Sequence, residues 1–412
     1  MSLEFEAPLP PSGHFVESVR KSCAEAREAS DILISEEAID AFLRGLDQET
    51  FEALKVKHGV NFPLQFPSIA SEVNFLSVLA LLNTLSAYRS AFHKSTGQGA
   101  YQNVLRLMMG MFLSSPDSDT SPSSKLSAQG LATLTEADVA GLLNVTLHDE
   151  RTHESIPGLI VGSARGGVMA EPVGLVVSIC NDTGRRLLEM KAGNLGEFVL
   201  RILVEASAEV GKKGDEAGCD LFVERLVSAL PGFADMTTLS SSKTPVYLFK
   251  KAFFLLYALQ ARLAKTSTDL RVPNTASLPM FVDNVIPTML VHYKIIQFGD
   301  KAPSSLIQWG NDAQSSKSSE DTSAAAPSDA KAPPIEGPNL SKEEAYRVRA
   351  AALDAGAAIV ARIKVLVEKE PELAWMAQVN EVDVDGYLWT VAKDDPALRK
   401  VPRLVERGTV MY

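Results

Sequence analysis

Residues 249–263 read FKKAFFLLYALQARL. Phe249, Phe253, Leu256, Leu259 and Leu263 follow one another at steps of four, three, three and four, the spacing that gathers side chains on one face of a helix. The same reading extends outward along the chain. Residues 73–92 read as one long apolar helix. Ser35 with Ala38 and two early glutamates, Thr135 with Asp138, and Ser341 with Glu344 mark helix starts, the last a capping box. An Ala-rich helix over 341–370 follows that box. Strand character is limited to short pieces at 158–161 and 401–412. The expected architecture is mainly α, a single helical domain over residues 1–412 with at most a minor β element.

Two stretches interrupt the helical pattern. Residues 311–340 carry no aromatic side chain and almost no branched aliphatic one, too little apolar surface to offset chain entropy, and are expected to be a disordered insertion. Residues 114–128 (SSPDSDTSPSSKLSA) predict a shorter flexible loop.

Composition narrows the function classes. Of 412 residues, 46% are apolar and 22% charged, ordinary values for a chain with a buried core. Forty Lys and Arg against 51 Asp and Glu give a net charge of -11 and a pI near 5.2, opposite to the footprint of a protein that grips duplex nucleic acid. A nucleotide-sized ligand stays open, because one local basic group can hold one phosphate. The three cysteines, Cys23, Cys180 and Cys219, are widely spaced and odd in number, which fits a reducing compartment rather than a disulfide framework or a zinc site. The acidic, Pro-rich start resembles neither a secretory signal nor a mitochondrial presequence, and no apolar run is long enough to span a bilayer. A cytoplasmic protein is expected, with the nucleus as a second compartment, and no membrane partner.

Standard chemistry-bearing motifs are missing. The sequence contains no G-x-x-x-x-G-K-[ST], no G-x-G-x-x-G after a strand, no H-E-x-x-H and no G-x-S-x-G. Residues 162–166 (GSARG) suggest a phosphate loop but read better as a turn. His148 and His153, among acidic neighbours, read as a solvated loop, and no metal is assigned. Residues 278–298 (LPMFVDNVIPTMLVHYKIIQF) are more informative. Pro287 belongs in the first turn of a helix, so Asp283 and Asn284 fall in the turn just before it. A carboxylate walled by Met280, Phe281, Val282, Val285 and Ile286 is either a helix cap or a group held in a low-dielectric pocket for catalysis. Periodicity does not choose between the two.

The segment MFVDNVIPTML resembles the motif FADxxxPxxL of the queuosine salvage protein family, the queuosine 5′-phosphate N-glycosidases. Other pieces agree in chain order. Residues 74–89 (NFLSVLALLNTLSAYR) resemble the family helix with a leucine-asparagine pair, here Leu82 and Asn83, and residues 99–101 (GAY) its glycine-aromatic-aromatic step. Residues 194–198 (NLGEF), 230–235 (LPGFAD) and 246–251 (VYLFKK) resemble three further family elements, the last being V-x-F-Y-K-R. Val348 with Arg349, and residues 385–389 (DGYLW), resemble two more. Thr84 and Asn284 stand where aromatics are usual, and Tyr101 where a tryptophan is, departures that bear on the shape of the base pocket.

The resemblance implies an all-helical fold similar to helix-hairpin-helix DNA glycosylases. It also implies hydrolysis of queuosine 5′-monophosphate to queuine and ribose 5-phosphate, with water as the only co-substrate and no cofactor. By the family match Asp283 is the carboxylate beneath the sugar and Lys250 the second catalytic group, serving the phosphate or a sugar hydroxyl, while Lys251 beside it is read as the surface residue. Tyr101 would stack on the deazaguanine plane, and Asp235 would pair with the cationic amine of queuine or cap a turn before Thr237. Asn284, Arg349 and Asp385 are further substrate-binding candidates. Tyr387 and Trp389 read as structural core. The competing expectations are a noncatalytic α-helical interaction protein, in which Asp283 only caps a helix, and an N-glycosidase for another modified-purine nucleotide.

Overall fold

The helix Lys250–Leu263 lies at the centre of the molecule in a computed structural model that describes residues 3–56, 59, 60, 62, 64–114, 121, 123–152, 155, 156, 158, 160–264, 270–315 and 335–412. Its burial goes beyond the one face that the spacing predicts. Phe254, Leu255, Ala252 and both lysines are covered as well as the Phe253–Leu256–Leu259 stripe, so neighbours enclose it on several sides. Phe249 does not join the helix but precedes it in the left-handed region, at φ 48°. Lys251 is fully buried and is not the surface residue expected; carbonyl oxygens of two distant segments receive its ammonium.

The architecture is mainly α, as the sequence predicts. Strands among the described residues form four separate two-stranded pairs. Three are antiparallel (Ile32–Ile34 with Ile296–Phe298, His148–Thr152 with Ile160–Gly166, Met236–Thr238 with Pro245–Tyr247), and one is parallel (Glu336–Asn339 with Arg403–Val405).

Local capping chemistry places the helix starts. The Ser35 hydroxyl accepts from the Ala38 N–H, and reciprocal capping boxes close at Thr135 with Asp138 and at Ser341 with Glu344. The last opens the helix Lys342–Val367, which packs along Phe15–Glu28. Pro287 sits in the first turn of Val285–His292, where its missing N–H leaves no bond unmade.

The long helix expected over 73–92 is broken. Ile69–Leu81 ends, Leu85 adopts φ 70°, and a 3-10 turn over Ser86–Tyr88 runs into a second helix, Arg89–Thr96, the stretch Ser86–Thr96 standing at 65° to the first helix. Buried cations take the carbonyls freed at the break, described below. No single helix among the described residues is long and apolar enough to cross a membrane.

Three local readings change. Residues 162–166 form a strand rather than a turn, and His148 opens the strand paired with it; His153 lies outside the described residues. Of the stretch 401–412, only Arg403–Val405 is strand. Most of the expected insertion at 311–340 lies outside the described residues, as do 115–120 and 122 of the expected loop at 114–128, whose end holds Ser127 as cap of the helix Ala128–Ala132. At the former's edges, 311–315 complete the helix Ser304–Ser315 and Glu336–Asn339 pair with Arg403–Val405.

One motif has a packing explanation. Asn194 caps the helix Leu195–Lys213, and Gly196 lies against the backbone of Asn74, where a β-carbon would stand 2.5 Å from the Asn74 Cα. The Asn74 side chain locks the contact, accepting from the Gly196 N–H at 3.0 Å and donating to the Leu126 carbonyl.

Candidate active site

The two carboxylate oxygens of Asp283 face different partners. Oδ1 accepts from the Val285 N–H at 2.6 Å, while Oδ2 faces the Lys250 ammonium at 3.9 Å. Asn284, not Asp283, occupies the cap position. Asp283 is 6% exposed and Lys250 3%, so the pair interacts where water screens it little.

Lys250 reaches this point because the left-handed Phe249 turns the chain directly into the helix. Its ammonium donates to the Asn83 carbonyl at 2.9 Å and to Asn83 Oδ1 at 3.3 Å. Lys251 donates to the carbonyls of Leu81 at 3.1 Å and Val410 at 2.8 Å. Two adjacent lysines therefore satisfy carbonyls that the broken helix leaves without partners. Burial lowers both ammonium groups, that of Lys251 to about 7, and Asp283 partly opposes the effect at Lys250.

Asp385 supplies a second buried carboxyl. It lies on the helix Glu381–Asp394, and its Oδ2 accepts from the Phe281 N–H at 2.8 Å, two residues before Asp283. Burial pushes its carboxyl up to about 8, and the charge of Asp283 adds to the rise; the Phe281 N–H and Lys250 hold it back. Two carboxyls thus share a site in different environments, the arrangement that separates an acid from a base. Asn284 is buried beside them. Its Nδ2 donates to the Leu404 carbonyl at 3.1 Å, and its Oδ1 is buried with no hydrogen-bond partner.

Asp235 and Arg349 are brought together, but as an internal pair. Arg349 grips both carboxylate oxygens of Asp235, at 2.5 and 3.1 Å, both side chains are fully buried, and the Tyr346 hydroxyl donates to Asp235 Oδ1 at 3.0 Å. The Asp235 carboxylate is thereby occupied, which corrects its expected pairing with a ligand amine. The expected cap before Thr237 is also replaced: the Asp235 carbonyl accepts from the Leu248 and Phe249 N–H groups. Arg349 reaches the site indirectly, donating from Nε and Nη2 to the Val282 carbonyl, and the Tyr412 ring stacks on its guanidinium. Thr84, one of the departures from the family pattern, bonds the Tyr412 carbonyl at 3.1 Å.

Tyr101 lies at the margin. Its hydroxyl donates to the Gly59 carbonyl at 2.6 Å, its ring meets Trp389 edge-on, and Lys393 lies over one face. Gly59 has φ 78°, and a β-carbon there would stand 2.7 Å from the Tyr101 hydroxyl. Tyr387 points elsewhere, stacked on Phe51 within the core as expected, whereas Trp389 belongs with Tyr101 and Lys393.

Sequence reading missed Lys393 and Arg403. Both feel the charge of Asp283. Lys393 follows Trp389 by one helical turn, a spacing that could have flagged it; Arg403, in the terminal strand, carries no local signal.

A buried carboxylate–lysine pair with a second carboxyl alongside, in a mainly α fold, defines a candidate hydrolytic site. The family model described as queuosine salvage protein matches residues 185–320. That stretch holds Asp235, Lys250, Asp283 and Asn284, and the match supports the resemblance to that family and a role in queuosine salvage. No curated protein matches the sequence.

Proposed function

We propose that the protein hydrolyses the N-glycosidic bond of queuosine 5′-monophosphate, releasing queuine and ribose 5-phosphate. The observation that carries this reading is the buried Asp283 Oδ2, directed at Lys250 and accompanied by Asp385. Cleavage of an N-glycoside builds positive charge on the sugar, and a carboxylate placed beneath it stabilises that charge. The leaving base is a 7-deazaguanine with no N7 lone pair to protonate. Asp385, protonated at neutral pH, is the proton donor to the departing base, and Asp283 receives a proton from the incoming water. Lys250 holds the orientation of Asp283, and the open acceptor Asn284 Oδ1 receives an N–H of the base. Asp235 and Arg349 act at one remove, by fixing the Val282 carbonyl.

The test is mass-spectrometric detection of free base after incubation of the purified protein with queuosine 5′-monophosphate, with guanosine monophosphate as control. Queuine released only from the modified nucleotide, and not by the Asp283→Asn variant, supports the reading. A folded wild-type protein that releases none overturns it in favour of another modified nucleotide or a noncatalytic role.

A further inference from the structure

Lys393 and Arg403 feel the charge of Asp283, and Arg399 and Arg89 lie close to Arg403. Arg403 is 6% exposed; its Nη2 donates to the Ala392 carbonyl at 2.7 Å, and its Nε is buried with no hydrogen-bond partner. Arg399 lies in the 3-10 turn Leu398–Lys400 just before it, and Lys393 sits on the adjoining helix, next to the carbonyl that Arg403 holds. Arg89, the first residue of the helix after the break, donates to the Ile335 carbonyl at 2.9 Å.

These groups disturb one another. Arg89 is pushed down to about 8 by burial and then by Arg403 and Arg399, and Arg403 to about 10 by burial, with Arg399 adding to the fall and Asp283 opposing it. A guanidinium keeps its proton in proteins, so the physical content is charge held in a desolvated place and repelled by its neighbours, relieved only in part by Asp283 and Glu336. Glu336, the carboxylate that favours the charge on Arg89, forms its ion pair with Arg407. Among the described residues no carboxylate forms an ion pair with Arg89, Lys393, Arg399 or Arg403. In a chain of net charge -11, such a concentration of unpaired positive charge calls for an anion. A buried donor without a partner is costly, and Arg403 Nε becomes satisfied when an oxyanion arrives.

We infer that Arg403, Arg399, Arg89 and Lys393 form the subsite for a phosphate monoester, with Arg403 Nε as its inner donor. The inference rests on the proposed nucleotide reading and assigns the 5′-phosphate end of the ligand to this cluster rather than to Lys250, whose donors are already engaged.

Titration calorimetry with ribose 5-phosphate, and with ribose as control, tests the site without requiring turnover. Arg399→Gln and Arg89→Gln change partly exposed side chains, and melting curves confirm that they fold; Arg403→Gln is the stronger but more disruptive variant. Wild type is expected to bind ribose 5-phosphate and not ribose, more weakly as salt rises, and each surface variant to bind it about tenfold or more less tightly, the loss of one charge-assisted hydrogen bond. The same variants lose the preference for queuosine 5′-monophosphate over its nucleoside. Equal binding of ribose and ribose 5-phosphate, or variants that bind as wild type does, overturns the subsite. Charge-dependent binding without queuine release keeps the subsite and removes the glycosidase reading. Queuine release by a protein whose variants bind ribose 5-phosphate unchanged does the reverse.

Discussion

Arg349 holds the carbonyl oxygen of Val282 with two nitrogens, at 2.9 and 3.2 Å, from a helix that begins 60 residues further along the chain. The backbone immediately before Asp283 is therefore clamped by a guanidinium whose other side is filled by Asp235. Removing one partner of such a buried pair strands the other's charge. Asp235→Ala is expected to lower the unfolding free energy by about 3–5 kcal/mol in urea titrations. A loss below about 1 kcal/mol would show that the pair does not hold the loop.

Asp283→Asn separates chemistry from folding. Asparagine keeps Oδ1 as acceptor for the Val285 N–H and removes the charge facing Lys250. Base release is expected to vanish, with stability changed by no more than about 1 kcal/mol, because the Lys250 ammonium stands 3.9 Å from Asp283 and keeps its two Asn83 acceptors. Normal cleavage by this variant would remove Asp283 from the mechanism.

The pH dependence follows from Asp385. Its folded value, about 8, lies above the 3.8 of an unperturbed aspartate, so the fold favours the protonated form. The associated stability is complete below about pH 4 and is lost as pH rises to about 8. Activity needs the same proton, so kcat is expected to fall above about pH 8. Asp385→Asn is expected to flatten the stability profile between pH 4 and 8; a slope unchanged from wild type would refute the assignment.

Lys251 has the opposite sign. Its folded value, about 7, lies below the ordinary 10.5, so the stability linked to its neutral form is present above about pH 10.5 and is lost as pH falls to about 7. Lys251→Met removes that dependence but leaves the Leu81 and Val410 carbonyls unpaired. A net loss of about 1–3 kcal/mol at neutral pH is expected, measured by chemical unfolding.

At Gly196 even one methyl group is too many. Gly196→Ala would drive a β-carbon into the backbone of Asn74 and is expected to destabilise the protein by about 1–3 kcal/mol, despite alanine's better helix propensity. A thermal midpoint at or above that of wild type would contradict this packing account.

What could be read from the sequence was local. Ser35, Thr135 and Ser341 mark helix starts because a cap and the N–H that donates to it lie three residues apart. Residues 82–85 give no warning of the break, since Leu82 and Leu85 suit a helix; the cause lies some 170 residues away, at Lys250 and Lys251. For the same reason Lys251 reads as a surface residue and Asp235 as a free carboxylate. Their partners become visible only when distant segments meet. Asp283 and Lys250 stand out only through the family resemblance, because periodicity leaves Asp283 open between a cap and a catalytic group.

The break between residues 82 and 85 also has a bearing on how tolerance to mutation would map onto this molecule. The carbonyls released there are held by the cations that surround the candidate centre, so the two lysines serve architecture and electrostatics at once. A variant library sorted only for folded abundance would deplete substitutions at Lys251, Asp235 and Arg349, and would let Asp283→Asn pass. Intolerance measured in that way would trace the clamp around the site, while the carboxylate at its centre would register only when the library is sorted for product.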